Sequence, residues 1–202
     1  MIGVFDSGFG GLTILRVLVD RLPRYSYVYL GDNARMPFGS RTADDVFALT
    51  WHGVDYLFRR GCALVILACN TASAVCLRRI QQEELPAQYP DRRVLGIVVP
   101  TIEQITGVNW EVRKAVPVGQ TDVRSVGVLA TTQTVRSQAY PHEIRKRRPS
   151  IRVVQQACPR LAALIEAGAQ QTKLRREIKK CLAALYQAAG NDIDAILLGC
   201  TH

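Results

Sequence analysis

Short apolar runs alternate with longer amphipathic stretches along almost the whole chain. The runs at 2–5, 26–30, 63–68, 94–99, 125–130, 151–155 and 195–198 have the composition of strands covered on both faces. Between them, 12–21, 43–60, 71–84, 135–147, 160–167 and 172–189 repeat their apolar positions at helical spacing. Strand and helix in strict turn predict an α/β protein built on mainly parallel sheet. The rhythm breaks from 107 to 122, where Gly107, Pro117 and Gly119 predict a loop or a domain connection. A boundary near 98–101 then divides the chain into two similar α/β domains, each a sheet flanked by helices. The first is expected to comprise 1–97 plus 193–202, and the second 98–192. The strand at 195–198 echoes the one at 64–67, since each runs straight into a cysteine-containing turn.

Charge changes this picture little. The net charge is +9, with basic residues at 145–148 and at Lys173, Arg175, Arg176, Lys179 and Lys180. The second set lies opposite Leu174, Ile178, Leu182 and Leu185 on a helical wheel, which marks it as a solvated face. No aromatic residues interleave with it, as a platform for stacking bases would need. A basic surface that attracts small anions is the reading this supports. No apolar run approaches the roughly 18 residues of a membrane span, and the first residues lack the pattern of a secretory signal. A cytoplasmic protein with reduced thiols is therefore expected. The six cysteines form no Cys-x-x-Cys, and the histidines are only His52, His142 and His202, so a structural zinc site is not expected.

Parallel α/β sheets bind ligands at the carboxyl ends of their strands. Three strand ends carry small polar residues: Asp6-Ser7-Gly8 with Gly10-Gly11, then Cys69-Asn70-Thr71, then Cys200-Thr201-His202. The first has glycines that let backbone amides approach an anion, without the Lys-Ser/Thr ending of a phosphate loop; plain turn chemistry explains it equally well. Each cysteine turn places a thiol between a buried strand and an expected helix N-terminus, where the helix dipole favours thiolate. An inert core cysteine is the competing reading for both.

These segments resemble the glutamate racemases, within the wider aspartate/glutamate racemase superfamily. The resemblance is carried by Phe5-Asp6-Ser7-Gly8-Phe9-Gly10-Gly11-Leu12-Thr13 and Gly31-Asp32-Asn33-Ala34-Arg35-Met36-Pro37-Phe38-Gly39. It continues through Ala68-Cys69-Asn70-Thr71-Ala72-Ser73-Ala74, Thr134-Val135-Arg136-Ser137, Gln156-Ala157-Cys158-Pro159 and Leu198-Gly199-Cys200-Thr201-His202. It implies a racemase that interconverts L- and D-glutamate without pyridoxal phosphate or metal, in a cleft between the domains, and supplies D-glutamate for peptidoglycan.

The same resemblance implies that Cys69 and Cys200 form the acid/base pair, with Asp6 assisting Cys69 and His202 assisting Cys200. Glu166 would be a further carboxylate near the second thiol. Asp6, Ser7, Asn70, Thr71, Thr201 and His202 would hold the substrate, Phe38 and Gly39 would add backbone contacts, and Thr131 and Thr134 would reach from the second domain. A homodimer and a secondary interaction with DNA gyrase also follow from it. Phe38 stands where the family usually has tyrosine, and the turn at 99–101 and the loop at 107–120 depart from its pattern. The family continues past the position of His202 with Tyr-Pro and a closing strand and helix, so low stability and weak activity are expected of the 202 residues alone. The alternatives are a relative acting on aspartate or another substrate, and an inactive or truncated relative with a binding role.

Overall fold

The computed structural model describes residues 1–108 and 123–202, and these fall into two units: Met1–Ile97 with Thr201–His202, and Val98–Cys200. Among the described residues no helix is long and apolar enough to cross a membrane.

The first unit is a four-stranded parallel sheet ordered β2-β1-β3-β4, formed by β1 (Ile2–Asp6), β2 (Tyr27–Gly31), β3 (Leu64–Leu67) and β4 (Arg93–Gly96). All five residues of β1 are buried because both faces of the sheet are covered. On one face Ile2, Val4 and Ala68 pack with Ile14, Leu15 and Leu18 of helix α1 (Leu12–Arg21). On the other, Phe5, Val65 and Leu67 meet helix α2 (Ala43–Arg59), which buries Val46, Phe47, Thr50, Gly53, Val54, Leu57 and Phe58 along one stripe. Thr42 starts α2 by accepting a hydrogen bond from the Asp45 amide at 3.1 Å, and Asp44 and Asp45 suit the positive end of its dipole.

Helix α3 (Asn70–Arg79) follows β3 and passes through a π-helical turn, Ile80–Glu84, into the short α4 (Leu85–Gln88). The sequence pattern showed this region as one helix from 71 to 84. The expected strand at 94–99 also differs: β4 ends at Gly96, and Val98 already begins helix α5 (Val98–Thr106) of the second unit. Pro100 does not prevent this, because the first turn of a helix has no partner for its missing amide. Val98, Ile102 and Thr106 then form the buried stripe. Most of the expected loop at 107–122 lies outside the described residues.

The second unit holds a three-stranded parallel sheet, β6-β5-β7, from β5 (Ser125–Ala130), β6 (Arg152–Ala157) and β7 (Ala195–Gly199). This corrects the expectation that 193–202 completes the first domain: only Thr201 and His202 join the first unit. The reason is local. Asp194 accepts hydrogen bonds from the amides of Arg124 and Ser125 at 2.7 and 2.9 Å, and the Ser125 hydroxyl donates to the Asp192 carbonyl at 2.7 Å. The two ladder starts are thereby tied together, with Val126 opposite Ala195. Those amide donors, Arg124 first, also hold the Asp194 carboxyl below its ordinary range.

The helix expected from 135 to 147 is two helices, α6 (Thr132–Ser137) and α7 (Ala139–Arg147), separated by Gln138 in a left-handed conformation at φ 55°. Helix α8 (Leu161–Glu166) is followed by the long α9 (Gln171–Ala189). The buried residues of α9 are Glu177, Cys181, Leu185 and Ala189, while Ile178 is exposed, so the core stripe is rotated from the one read off the leucines. The five basic residues of α9 are exposed.

Candidate active site

Asp6 ends β1, and its carboxylate is completely buried. A buried charge is costly unless hydrogen bonds replace its water. The Gly8 amide donates to one carboxylate oxygen at 2.8 Å, and the Thr201 hydroxyl donates to the other at 3.2 Å. Thr201 also lies 3.5 Å from the His202 ring nitrogen Nδ1. Gly10 makes room for this pair. A Cβ there would fall 2.5 Å from the Thr201 hydroxyl oxygen and 2.9 Å from the His202 ring.

Beside Asp6, Ser7 meets the first of the sequence-selected thiols. The Cys69 thiol donates to the Ser7 hydroxyl oxygen across 3.5 Å. Cys69 is the N-cap residue of α3, so the partial positive charge of that helix N-terminus acts on the sulfur. Asn70 and Thr71 form the first turn, both buried. Seven of the expected residues thus gather in the first unit: Asp6, Ser7, Cys69, Asn70, Thr71, Thr201 and His202. Phe38 and Gly39 open a short 3₁₀ turn, Phe38–Ser40, and are also buried. The Phe38 ring lies in the core 6.2 Å from that of Phe5, so only its backbone is suited to meeting a ligand.

In the second unit, Ala157, Ala130 and Gly199 stand side by side in the sheet. The next residue on each strand is therefore Cys158, Thr131 or Cys200, one row at the carboxyl end. Thr131 caps α6 by accepting from the Thr134 amide at 3.3 Å, and the two threonine hydroxyls lie 3.0 Å apart. Glu166 is the last residue of α8 and is half-buried. A carboxylate at a helix C-terminus gains nothing from the dipole, so α8 itself gives no reason for it.

The thiols divide by environment. None of the six is in a disulfide, and five of them are buried while Cys200 is half-exposed. Burial pushes Cys76 up to about 12, against which its hydrogen bond to Thr50 acts weakly. Burial likewise raises Cys62. Cys158 is raised by burial first, then by its hydrogen-bonded neighbour Cys181 and the negative charge of Glu177. Cys62, Cys76 and Cys158 are thus held as neutral thiols, unsuited to removing protons. Glu177 went unnoticed in the sequence because a carboxylate on an amphipathic helix normally counts as solvated.

The family described as Asp/Glu/Hydantoin racemase matches residues 2–202. A glutamate racemase of Caulobacter sp. (strain K31) is 47% identical over all of this chain and 73% of its own length. One of Phenylobacterium zucineum is 46% identical with the same coverage. Among solved structures, the glutamate racemase of Francisella tularensis in complex with D-glutamate aligns with a TM-score of 0.81 at 30% identity, covering 100% of this chain and 68% of that one. The aspartate racemase of Picrophilus torridus aligns with a TM-score of 0.61 at 16% identity, covering 100% of this chain and 80% of that one, a likeness of fold alone.

Proposed function

The chain belongs to the Asp/Glu/hydantoin racemase family, and from this premise we propose that it interconverts L- and D-glutamate by acid/base chemistry at Cys69 and Cys200. The observation that carries the reading is the setting of the two thiols. Each follows the end of a parallel strand, one in each unit, and Cys69 is held by Ser7 at a helix N-terminus. The named relatives, and the Francisella structure with D-glutamate, support glutamate as the substrate.

Inversion requires removing the α-proton from one face of the carbon and returning a proton to the other. One cysteine, as thiolate, takes the α-proton and becomes a thiol. The other, as thiol, protonates the carbanion from the opposite face and becomes a thiolate. The substrate is inverted, no net proton is consumed, and the reverse direction exchanges the roles. An unperturbed thiol ionises at about 8.5–9, so one thiolate and one thiol coexist near neutrality after modest tuning. In this reading Asp6 and Ser7 serve Cys69, while His202 serves Cys200 with Glu166 as a further carboxylate. Asn70, Thr71, Thr131, Thr134, Thr201 and the backbone of Phe38-Gly39 hold the ammonium and carboxylate groups. The D-glutamate formed would supply peptidoglycan synthesis.

The test is incubation with L-glutamate in deuterium oxide, following the α-proton by NMR and the optical rotation together. Deuterium should enter and rotation decay, and Cys69→Ser or Cys200→Ser should each slow racemisation about a hundredfold or more. Exchange of aspartate in place of glutamate would reassign the substrate. Full racemisation by either single variant would sink the two-thiol chemistry.

A further inference from the structure

Tyr29, on β2, packs its ring against the core of Ile2, Val4 and Ala68, but its hydroxyl has no part in the chemistry above. It is half-buried, and its hydroxyl donates to the Gly8 carbonyl at 2.7 Å, reaching 21 residues back along the chain. Gly31 lies two residues further along β2 and so faces the same side. A Cβ at Gly31 would fall 2.5 Å from that same Gly8 oxygen and 3.1 Å from the Tyr29 ring. Strand β2 thus has one position stripped to admit the Gly8 carbonyl and another bearing a hydroxyl to grip it. Gly8 is in turn the residue whose amide donates to Asp6 at 2.8 Å, and it follows Ser7, whose hydroxyl meets the Cys69 thiol at 3.5 Å.

We infer that Tyr29 is a positioning residue for the Cys69 thiol, acting by fixing the Ser7–Gly8 turn from β2. The inference rests on the proposed role of Cys69 but concerns a property of that thiol that is measurable without turnover. With Tyr29 in place, Gly8 is held on both sides. Asp6 holds its amide, Tyr29 holds its carbonyl, and the hydroxyl of the preceding Ser7 stays within reach of the sulfur. When Cys69 loses its proton, that hydroxyl turns from acceptor to donor and stabilises the thiolate. Removal of the Tyr29 hydroxyl frees the Gly8 carbonyl, loosens the turn and weakens that bond.

The experiment is iodoacetamide alkylation across pH, with the Cys69-containing peptide resolved by mass spectrometry, for the wild type, Tyr29→Phe, Ser7→Ala and the double variant. The midpoint of the Cys69 profile should rise by roughly half a pH unit to one in Tyr29→Phe, part of what a hydrogen bond to a charged group is worth. Ser7→Ala should raise it at least as far, and the double variant no further than Ser7→Ala, as expected when one residue acts through the other. Reactivity of the buried Cys76 should stay unchanged, which reports an intact fold. An unmoved midpoint in Tyr29→Phe overturns the inference, and so does a rise that adds in full to that of Ser7→Ala. Faster labelling of Cys76 alongside Cys69 would overturn it too, because Tyr29 would then be a structural residue. If the wild type exchanges no α-proton of glutamate while the midpoints move as expected, the proposed function fails and the role of Tyr29 stands.

Discussion

Thr201 reaches the buried Asp6 carboxylate, with His202 beside it, in space left open because residue 10 has no side chain. In Gly10→Ala the new Cβ would lie 2.5 Å from the Thr201 hydroxyl oxygen, against ordinary contact near 3.4 Å, so the pair must retreat by nearly an ångström. A displacement of that size at a reacting centre costs one to two orders of magnitude in rate. We therefore expect α-proton exchange of glutamate to fall about tenfold or more, with the thermal melt nearly unmoved, since both displaced residues are only half-buried. NMR exchange rates beside a melting curve check this, and an unchanged rate would mean the Thr201–Asp6 contact is idle. At this scale the sequence was informative where chemistry is local. Asp6, Ser7, Cys69 and Thr201 stood out as small polar residues directly after apolar runs, and the structure gathers them. Tyr29 did not stand out, because an aromatic residue in a strand pattern reads as a β-former, and only folding shows that it faces Gly8.

Helix α2 rests on β1 through Gly53, and here two helix-scale effects oppose each other. An exposed helical glycine replaced by alanine gains about 1 kcal/mol of helix propensity. At position 53 the added Cβ would run into the ring of Phe5, which is fully buried and packed against Phe38, so the ring has nowhere to go. Overpacking of a core costs about 1–3 kcal/mol and should win, so Gly53→Ala is expected to destabilise by about 1–2 kcal/mol net. Urea unfolding measures it, and a stabilised variant would show that α2 slides without cost. Element existence was largely legible from periodicity: all seven apolar runs contain strands, and the long helices begin where their patterns do. What was not legible depended on a single backbone angle or on partners distant in sequence. Gln138 splits one apparent helix in two through its left-handed backbone. Helix α5 was hidden because Val98 continues the apolar run of β4 without a break. Strand β7 carries a pattern that fits either sheet, and the hydrogen bonds of Asp194 to the start of β5 decide between them.

Across the whole chain, thiols serve opposite ends, and pH separates them. Cys62 and Cys76 lie in the first unit and Cys158 in the second, and burial raises all three above the ordinary thiol value of 9.0. In the unfolded chain they ionise near that value, whereas in the folded chain they stay protonated to higher pH. Between the two values the folded state binds more protons, so stability is complete below about 9 and falls as pH rises, each thiol removing up to about 1.4 kcal/mol per pH unit. For Cys76 the window runs from 9.0 to about 12. On the acid side the sign reverses. Although burial alone would raise Asp55, its bonds to Tyr89 and Arg59 leave it below 3.8, and amide donors hold Asp194 below the same value. Their contribution is present above 3.8 and lost as pH falls through the depressed folded values. Because raised thiols occur in both units, both should weaken together in base, with unfolding midpoints in urea under reducing conditions dropping steadily from about pH 9 to 10.5. Cys76→Ala should start lower at neutral pH, from the lost packing, yet show a shallower alkaline slope than the wild type. An identical slope would mean that Cys76 ionises as easily folded as unfolded. Cys69 lies at a helix N-terminus that favours its thiolate, so its alkylation midpoint is expected to lie well below the onset of this alkaline loss.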